Sequence, residues 1–264
     1  MEEYQLYNGK IVLKFDDQLH EYTVNNKTVF GVTSIISIIA KPALLYWAVN
    51  QSVEYLKANL QPGVAFDELQ IKNLLDGCKY AHRKNLGKAA DIGKMTHHWI
   101  EEYIKARINK ETPPKRPVNT ELNNAIDSFF EWAKKNKVQL IASEQKIYSK
   151  KYKYAGTLDL EAMVNGKRTI IDFKTSKAIY DDYFLQSTAY LIAREEETGK
   201  KYDGGVMILR LSKEDTSKKI TSFEVKKVDA ENLAMYKKVF LSCLEIYKWQ
   251  MILKQQAIIN KAKA

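Results

Sequence analysis

Two apolar runs on either side of one turn dipeptide constrain this chain more than any other feature. Residues 158–164 end just before Asn165-Gly166, and Thr169-Ile170-Ile171-Asp172-Phe173-Lys174 follows. Asn-Gly favours a type I′ turn, because both central residues can take positive φ, so the runs are expected to pair as antiparallel strands. Side chains alternate along a strand, which puts Asp172 and Lys174 on one side and Phe173 on the other. The hairpin returns that side towards Asp159 in Gly156-Thr157-Leu158-Asp159. Two acids and one amine are therefore expected to converge at one end of a small sheet.

That arrangement has chemical content. Hard Mg²⁺ or Mn²⁺ takes oxygen ligands, and Mg²⁺ commonly uses one or two protein carboxylates with water and substrate phosphate completing the shell. A bound ion lowers the pKa of its water and neutralises charge on a phosphodiester. Lys174 is placed to orient or deprotonate the attacking water, or to stabilise the developing charge. The plain alternative is an exposed hairpin whose aspartate and lysine form a surface ion pair of little consequence. The rest of the chain weighs against that alternative.

Downstream, Leu185-Gln186-Ser187-Thr188-Ala189-Tyr190 puts Gln186 and Tyr190 four residues apart, on one face of a helix covering the sheet. Upstream, residues 90–103 read as an amphipathic helix with Ile92, Met95, Trp99, Ile100 and Tyr103 at helical spacing. His97 and Glu101 share a face of that helix, while His98 points about 100° away.

The pattern G-T-L-D, then I-I-D-F-K-T-S, then Q-x-x-x-Y, resembles the PD-(D/E)XK nuclease superfamily, most closely its RecB-like and phage-type exonuclease branch. That branch carries a G-x-x-x-H helix upstream, matched here by Gly93-Lys94-Met95-Thr96-His97. The resemblance implies that His97, Asp159, Asp172 and the backbone carbonyl of Phe173 hold the metal, with Lys174 as catalytic lysine. Gln186 and Tyr190 would position the active site and the DNA backbone. Asp172 stands where glutamate is commoner, and Leu158 where the motif has proline; the family tolerates both. The matched motifs run over 93–190, and the flanking segments match only loosely.

Other residues carry two readings each. Glu144 opens a strand candidate over 144–149, where many relatives have an acid; it ligates a second metal, accepts a hydrogen bond or merely flanks a strand. Thr175 and Ser176 follow the lysine and either donate to phosphate or cap a turn. Lys146, Lys150, Lys151 and Lys153 interleave with Tyr148, Tyr152 and Tyr154. The lysines either neutralise phosphates or decorate a solvated hairpin tip, and tyrosines such as Tyr152 could stack on unpaired bases.

Composition agrees with a nucleic-acid partner. Across 264 residues, 42 basic and 32 acidic side chains leave a formal charge of +10. Residues 200–264 hold 14 basic and 7 acidic residues, so most of the surplus lies there. Cys78 and Cys243 stand far apart, which excludes structural zinc and a four-cysteine iron–sulfur cluster. Met1-Glu2-Glu3 is acidic with no apolar run behind it, and the longest apolar stretch, near 35–40, is too short for a bilayer. A cytoplasmic location without a membrane partner is the expectation.

The expected fold is a single α/β domain over 1–264 with a restriction-endonuclease-like α/β/α core around a mixed sheet. Residues 1–30 read as a small β-hairpin appendage with turns at Asn8-Gly9 and Asn25-Asn26. The part over 31–137 is helical: a helix opening at Val32-Thr33-Ser34 capped by Thr33 or Ser34, a second with Pro42 in its first turn, two more over 67–85 and 87–107, a linker over 110–118 with three prolines, and a helix over 119–137. Residues 138–227 supply the catalytic sheet, with a helix over 181–198 and strands over 205–211 and 220–227. The part over 228–264 is a long helix, with Asp229 as its cap. By resemblance, the chain is expected to be a Mg²⁺- or Mn²⁺-dependent DNA exonuclease leaving 5′-phosphates. Its setting would be phage or prophage recombination or DNA processing, with an annealing protein among the conceivable partners. A structure- or sequence-specific endonuclease of the same fold, and a non-catalytic nucleic-acid-binding protein, are the alternatives.

Overall fold

The computed structural model describes residues 2–61, 63–176, 178–211 and 224–263, at 84–94 and 263 for the backbone alone. The side chain of Lys94 in the histidine motif, and residues 220–223 of the last expected strand, lie outside the described residues. The chain divides into two compact units, 1–39 with 96–264, and 40–95.

The first unit is built on a mixed nine-stranded sheet. Strands β1 (Glu2–Leu6), β2 (Ile11–Asp16), β3 (Glu21–Val24) and β4 (Lys27–Gly31) form an antiparallel meander. Its turns fall at Asn8-Gly9, His20 and Asn25-Asn26, all with positive φ. The short helix α1 (Val32–Ile36) follows, then, after the second unit, the end of α3 (Glu68–Asn109) and α4 (Thr120–Lys135). Next come β5 (Gln139–Ser149), β6 (Tyr154–Val164), β7 (Lys167–Lys174), α5 (Asp182–Thr198), β8 (Val206–Arg210), β9 (Glu224–Val228) and α6 (Leu233–Lys263).

β6 is the organising strand. β5 runs antiparallel along one edge of it. The other edge is shared: β4 pairs in parallel with Tyr154 and Ala155, and β7 pairs antiparallel from Leu160 to Val164. Between those contacts the sheet forks. β7 continues past the fork beside β8, in parallel register to Lys174 and Arg210.

Helices cover both faces. Ile170, Val206 and Ile208 pack with α1, α5 and α6, through residues such as Ile35, Leu185 and Phe240. The intervening Ile171, Met207 and Leu209 pack with Ile104 of α3 and Phe129 of α4. That two-sided burial explains why β7 and β8 read as nearly continuous apolar runs. A third core joins Leu6, Leu13 and Tyr22 of the meander to Tyr148 and Ala155 of β5 and β6. The segment expected as an appendage is thus part of the sheet, held to it through β4.

Three local expectations are corrected. α1 is capped by the extended backbone of Gly31, not by Thr33 or Ser34, which lie inside it. The helices expected over 67–85 and 87–107 are one continuous α3. Glycine in a helix costs only about 1 kcal/mol relative to alanine, and no proline occurs between 68 and 109 to stop the helix. Asp229 precedes a single 3-10 turn, Ala230–Asn232, makes no capping bond, and pairs with Lys227 instead.

The second unit contains α2 (Pro42–Asn59), with Pro42 in its first turn as expected, and α3 up to Met95. Ser52 Oγ donates to Cys78 O at 3.0 Å, and Tyr55 lies over Gly77, where a Cβ would fall 2.1 Å from its hydroxyl oxygen. Glycine there is a requirement of close helix approach. No helix among the described residues is long and apolar enough to cross a membrane.

Candidate functional site

The fork between β4 and β7 is where the expected carboxylates meet. The register Leu160↔Ile171 places Asp159 opposite Asp172, one step beyond the last ladder pair. Where the ladder ends, backbone donors lose strand partners. Asp159 Oδ2 takes up one of them, accepting from Phe173 N at 2.8 Å. Asp172 is fully buried, and Lys174 Nζ lies 2.5 Å from its Oδ2. Asp172 Oδ1 has no hydrogen-bond partner among the described residues. A buried acceptor left in that state is uncommon and points to a missing partner.

α5 covers this end of the sheet. Gln186 Oε1 accepts from Lys174 Nζ at 3.2 Å, and Gln186 Nε2 donates to Tyr190 Oη at 2.7 Å. The tyrosine ring lies flat against β6 because residue 156 is glycine: a Cβ there would meet Tyr190 Cε1 at 2.7 Å. The Lys174 ammonium also sits 4.8 Å from the ring centre of Tyr183.

From the opposite side, α3 brings His97. Its Nδ1 is 3.8 Å from Asp159 Oδ2, and its Nε2 is 2.9 Å from Phe173 O. When Nε2–H donates to that carbonyl, Nδ1 is the ring atom that faces Asp159. Metal-binding histidines are commonly oriented by such a second bond to a backbone carbonyl. Phe173 O, expected as a ligand, is therefore the hydrogen-bond partner of His97 here.

Glu144 completes the group, from the middle of β5 and not from a strand start as expected. The register of β5 on β6 shifts between Leu140 and Ala142, and Glu144 has φ +49°, a conformation uncommon outside glycine. Ligand atoms of His97, Glu144 and Asp159 lie within 4.8 Å of one another. Asp172 stands beside this trio, turned towards Lys174. A second grouping joins the exposed His98 and Glu102 to the half-buried Glu101, and Lys105 pairs with both acids.

The electrostatics follow from burying several acids together. Burial raises the Glu144 carboxyl to about 8, with Asp159 and Glu101 adding to the effect and Lys146 opposing it. Burial likewise raises Asp172 to about 7, with Lys174 opposing and Asp159 reinforcing. Burial alone would push Lys174 down, yet Asp172 and Asp159 hold its ammonium above the ordinary range. Within that pair the acid is the group that titrates near neutrality and the lysine stays charged. An imidazole nitrogen, several carboxylate oxygens and an orphaned buried acceptor form a hard, oxygen-rich donor set that suits Mg²⁺ or Mn²⁺.

The remaining expected residues are placed differently. Ser176 Oγ donates to Ala178 O at 2.7 Å within its own turn, and Thr175 is half-buried just past β7. The turn with Lys150, Lys151, Tyr152 and Lys153 is tied to Glu196, which accepts from Lys151 N at 2.9 Å. Glu196 is ten residues beyond Gln186, about 15 Å along the helix axis. Tyr152 stacks on Tyr154, and Tyr148 and Tyr154 are buried, so these rings serve the core and not unpaired bases.

Unforeseen residues appear instead. A cavity of about 330 Å³ at the fork is lined by the expected Asp159, Lys174, Gln186 and Lys146, and also by the unexpected Phe15, Asp17, His20 and Tyr22 of the meander. Tyr22 Oη and Thr157 Oγ1 are 3.0 Å apart and tie the meander to β6. No periodicity marks the β2–β3 turn, so only long-range pairing brings it here. Compared with protein-family models and with curated proteins, the sequence matches none.

Proposed function

We propose that the protein is a divalent-metal-dependent deoxyribonuclease of the restriction-endonuclease-like fold, acting on DNA ends in recombination or DNA processing. The reading is carried by one observation: Asp159, Asp172, Lys174 and Gln186 meet at a strand fork, beside a His97–Glu144–Asp159 trio. The motif resemblance and the net charge of +10 support it.

The chain's own groups divide the chemistry. His97, Glu144, Asp159 and Asp172 would hold Mg²⁺ or Mn²⁺, which supplies an activated water and neutralises phosphate charge when bound. Lys174, held beside Asp172, would orient or deprotonate the attacking water or donate to a phosphate oxygen. Gln186, bonded to both Lys174 and Tyr190, fixes the direction in which that ammonium points. Asp172 Oδ1 is the free acceptor for an ion or a proton of the attacking water.

The test uses end-labelled linear DNA and covalently closed circular DNA, each with Mg²⁺, Mn²⁺ or chelator. Chelator-sensitive loss of the linear substrate with the circle intact is expected. Cutting of the circle would make the enzyme an endonuclease, and no metal-dependent cleavage of either would overturn the reading.

A further inference from the structure

The cavity at the fork has two unlike walls. On the strand side stand the cations Lys146 and Lys174 with the carboxylates; on the meander side stand Phe15, His20, Tyr22 and the acid Asp17. A phosphate would be repelled by Asp17 and drawn towards the lysines. The meander wall therefore suits the uncharged, planar part of a nucleotide.

His20 is built as a surface for such a part. It is exposed, yet its ring meets Phe15 edge-on at 5.4 Å and Tyr22 at 6.3 Å, so two largely buried rings prop it. Its turn is fastened by Asp16 Oδ1, which accepts from Leu19 N at 3.0 Å, and the residue has φ +53°. From β5, Lys146 Nζ reaches over to the meander wall, 4.7 Å from the ring centre of Phe15 and 5.4 Å from that of Tyr4. Cation–aromatic contact positions the ammonium, and Glu144 is the acid acting on it most strongly. The volume, about 330 Å³, is at the small end of ligand-sized clefts and too small for a duplex.

Resting on the nuclease reading above, we infer that the pocket takes a single unpaired nucleotide of a DNA strand, its base stacked on His20 and its phosphate beside Lys146. Stacking platforms with adjacent cations are the usual means of holding single strands without reading their sequence. The substrate class is therefore a single-stranded or frayed end.

The experiment measures binding of short fluorescent single-stranded oligonucleotides, with Ca²⁺ replacing Mg²⁺, by anisotropy. An abasic unit is walked inward from either end. In the unaltered protein one abasic position should weaken binding by about five-fold to a hundred-fold, the usual effect of losing one stacked base. His20→Ala should bind every oligonucleotide of the set equally, and His20→Phe should restore the position dependence. Lys146→Met should weaken all of them and lower the salt slope by about one counterion. Melting curves identify a variant that has simply unfolded. Position dependence that persists in His20→Ala, or is absent from the unaltered protein, overturns the stacking assignment. An unchanged salt slope in Lys146→Met overturns the phosphate contact. Failure of the nuclease reading shows separately, as absence of chelator-sensitive cleavage of the same strands.

Discussion

The β6–β7 hairpin buries acids at two places, and it treats them in opposite ways. Glu161, two residues beyond Asp159, is 1% exposed, and both its oxygens are taken by guanidinium groups. Arg168 Nη1 reaches Oε1, while Arg194 Nε and Nη2 reach Oε2 at 3.1 and 2.9 Å. Arg194 is itself steadied by Glu197 at 2.7 Å. At the fork, Asp172 is just as deeply buried, yet among the described residues it pairs with Lys174 and keeps an oxygen without a partner. Glu144 and Asp159 add to the charge, and among the described residues neither is in an ion pair with a guanidinium. Glu161 has its counter-charge in place; on the proposed reading, the fork acids would take theirs from a mobile ion.

The largest effects should come from breaking the fork. Lys174→Ala should lower cleavage by about 10²–10⁴-fold, the range for loss of a positioned catalytic group, with binding of DNA retained. The fold should survive because Asp172, already raised to about 7, can protonate when its partner goes. Asp172→Asn sharpens the contrast: activity should be lost, while stability in chelator should fall less than for Arg194→Met below, since asparagine has the shape of the protonated acid and Asp159 still acts on Lys174. Full cleavage by Lys174→Ala in a metal-dependent assay would remove the lysine from the mechanism.

The matching change at the other cluster should act on stability instead. Arg194→Met leaves Glu161 with Arg168 alone, and breaking a buried ion pair costs about 3–5 kcal/mol. The lower end is expected because one guanidinium remains. Urea titration measures it as a drop in midpoint at constant slope. A variant as stable as the parent would mean the two clusters do not differ in kind.

The contrast was half visible in the sequence. Asn165-Gly166 and the alternation around Asp172 and Lys174 are local signals, and the hairpin follows from them. Gln186 and Tyr190, four apart, give their shared face by helical spacing alone. The fork was hidden, because it needs β4 to pair with Tyr154 and Ala155 over a hundred residues away. The same long-range pairing brings His20 and Phe15 to the cavity, from a segment that reads as a separate hairpin. Glu144 was legible as an acid before the first strand, but its positive φ in mid-strand has no signal in the composition. Tyr152, Lys150, Lys151 and Lys153 looked like a nucleic-acid cluster; charge and aromaticity alone could not show that α5 holds that turn away from the site.

The smallest effect tests whether the missing counter-charge is an ion. In chelator, Glu144 in the folded chain binds its proton up to about pH 8 and Asp172 up to about 7, against ordinary values of 4.5 and 3.8 in the unfolded chain. Between those limits the folded state holds more protons than the unfolded one, so stability is greatest at the acid end and falls as pH rises. The melting midpoint in chelator should therefore drop from pH 5 to pH 8, by about 2–4 °C for each kcal/mol lost in a chain of this size. Glu144→Gln removes one of the two titrating groups and should flatten the decline. Mg²⁺ or Mn²⁺ at a hundred times its dissociation constant should restore about 2.7 kcal/mol at pH 8 and little at pH 5, where protons occupy the same oxygens. At the Glu161 cluster no such ion dependence is expected, since two arginines already stand where the ion would. Equal stabilisation by the ion at both pH values would show that it binds somewhere other than the fork.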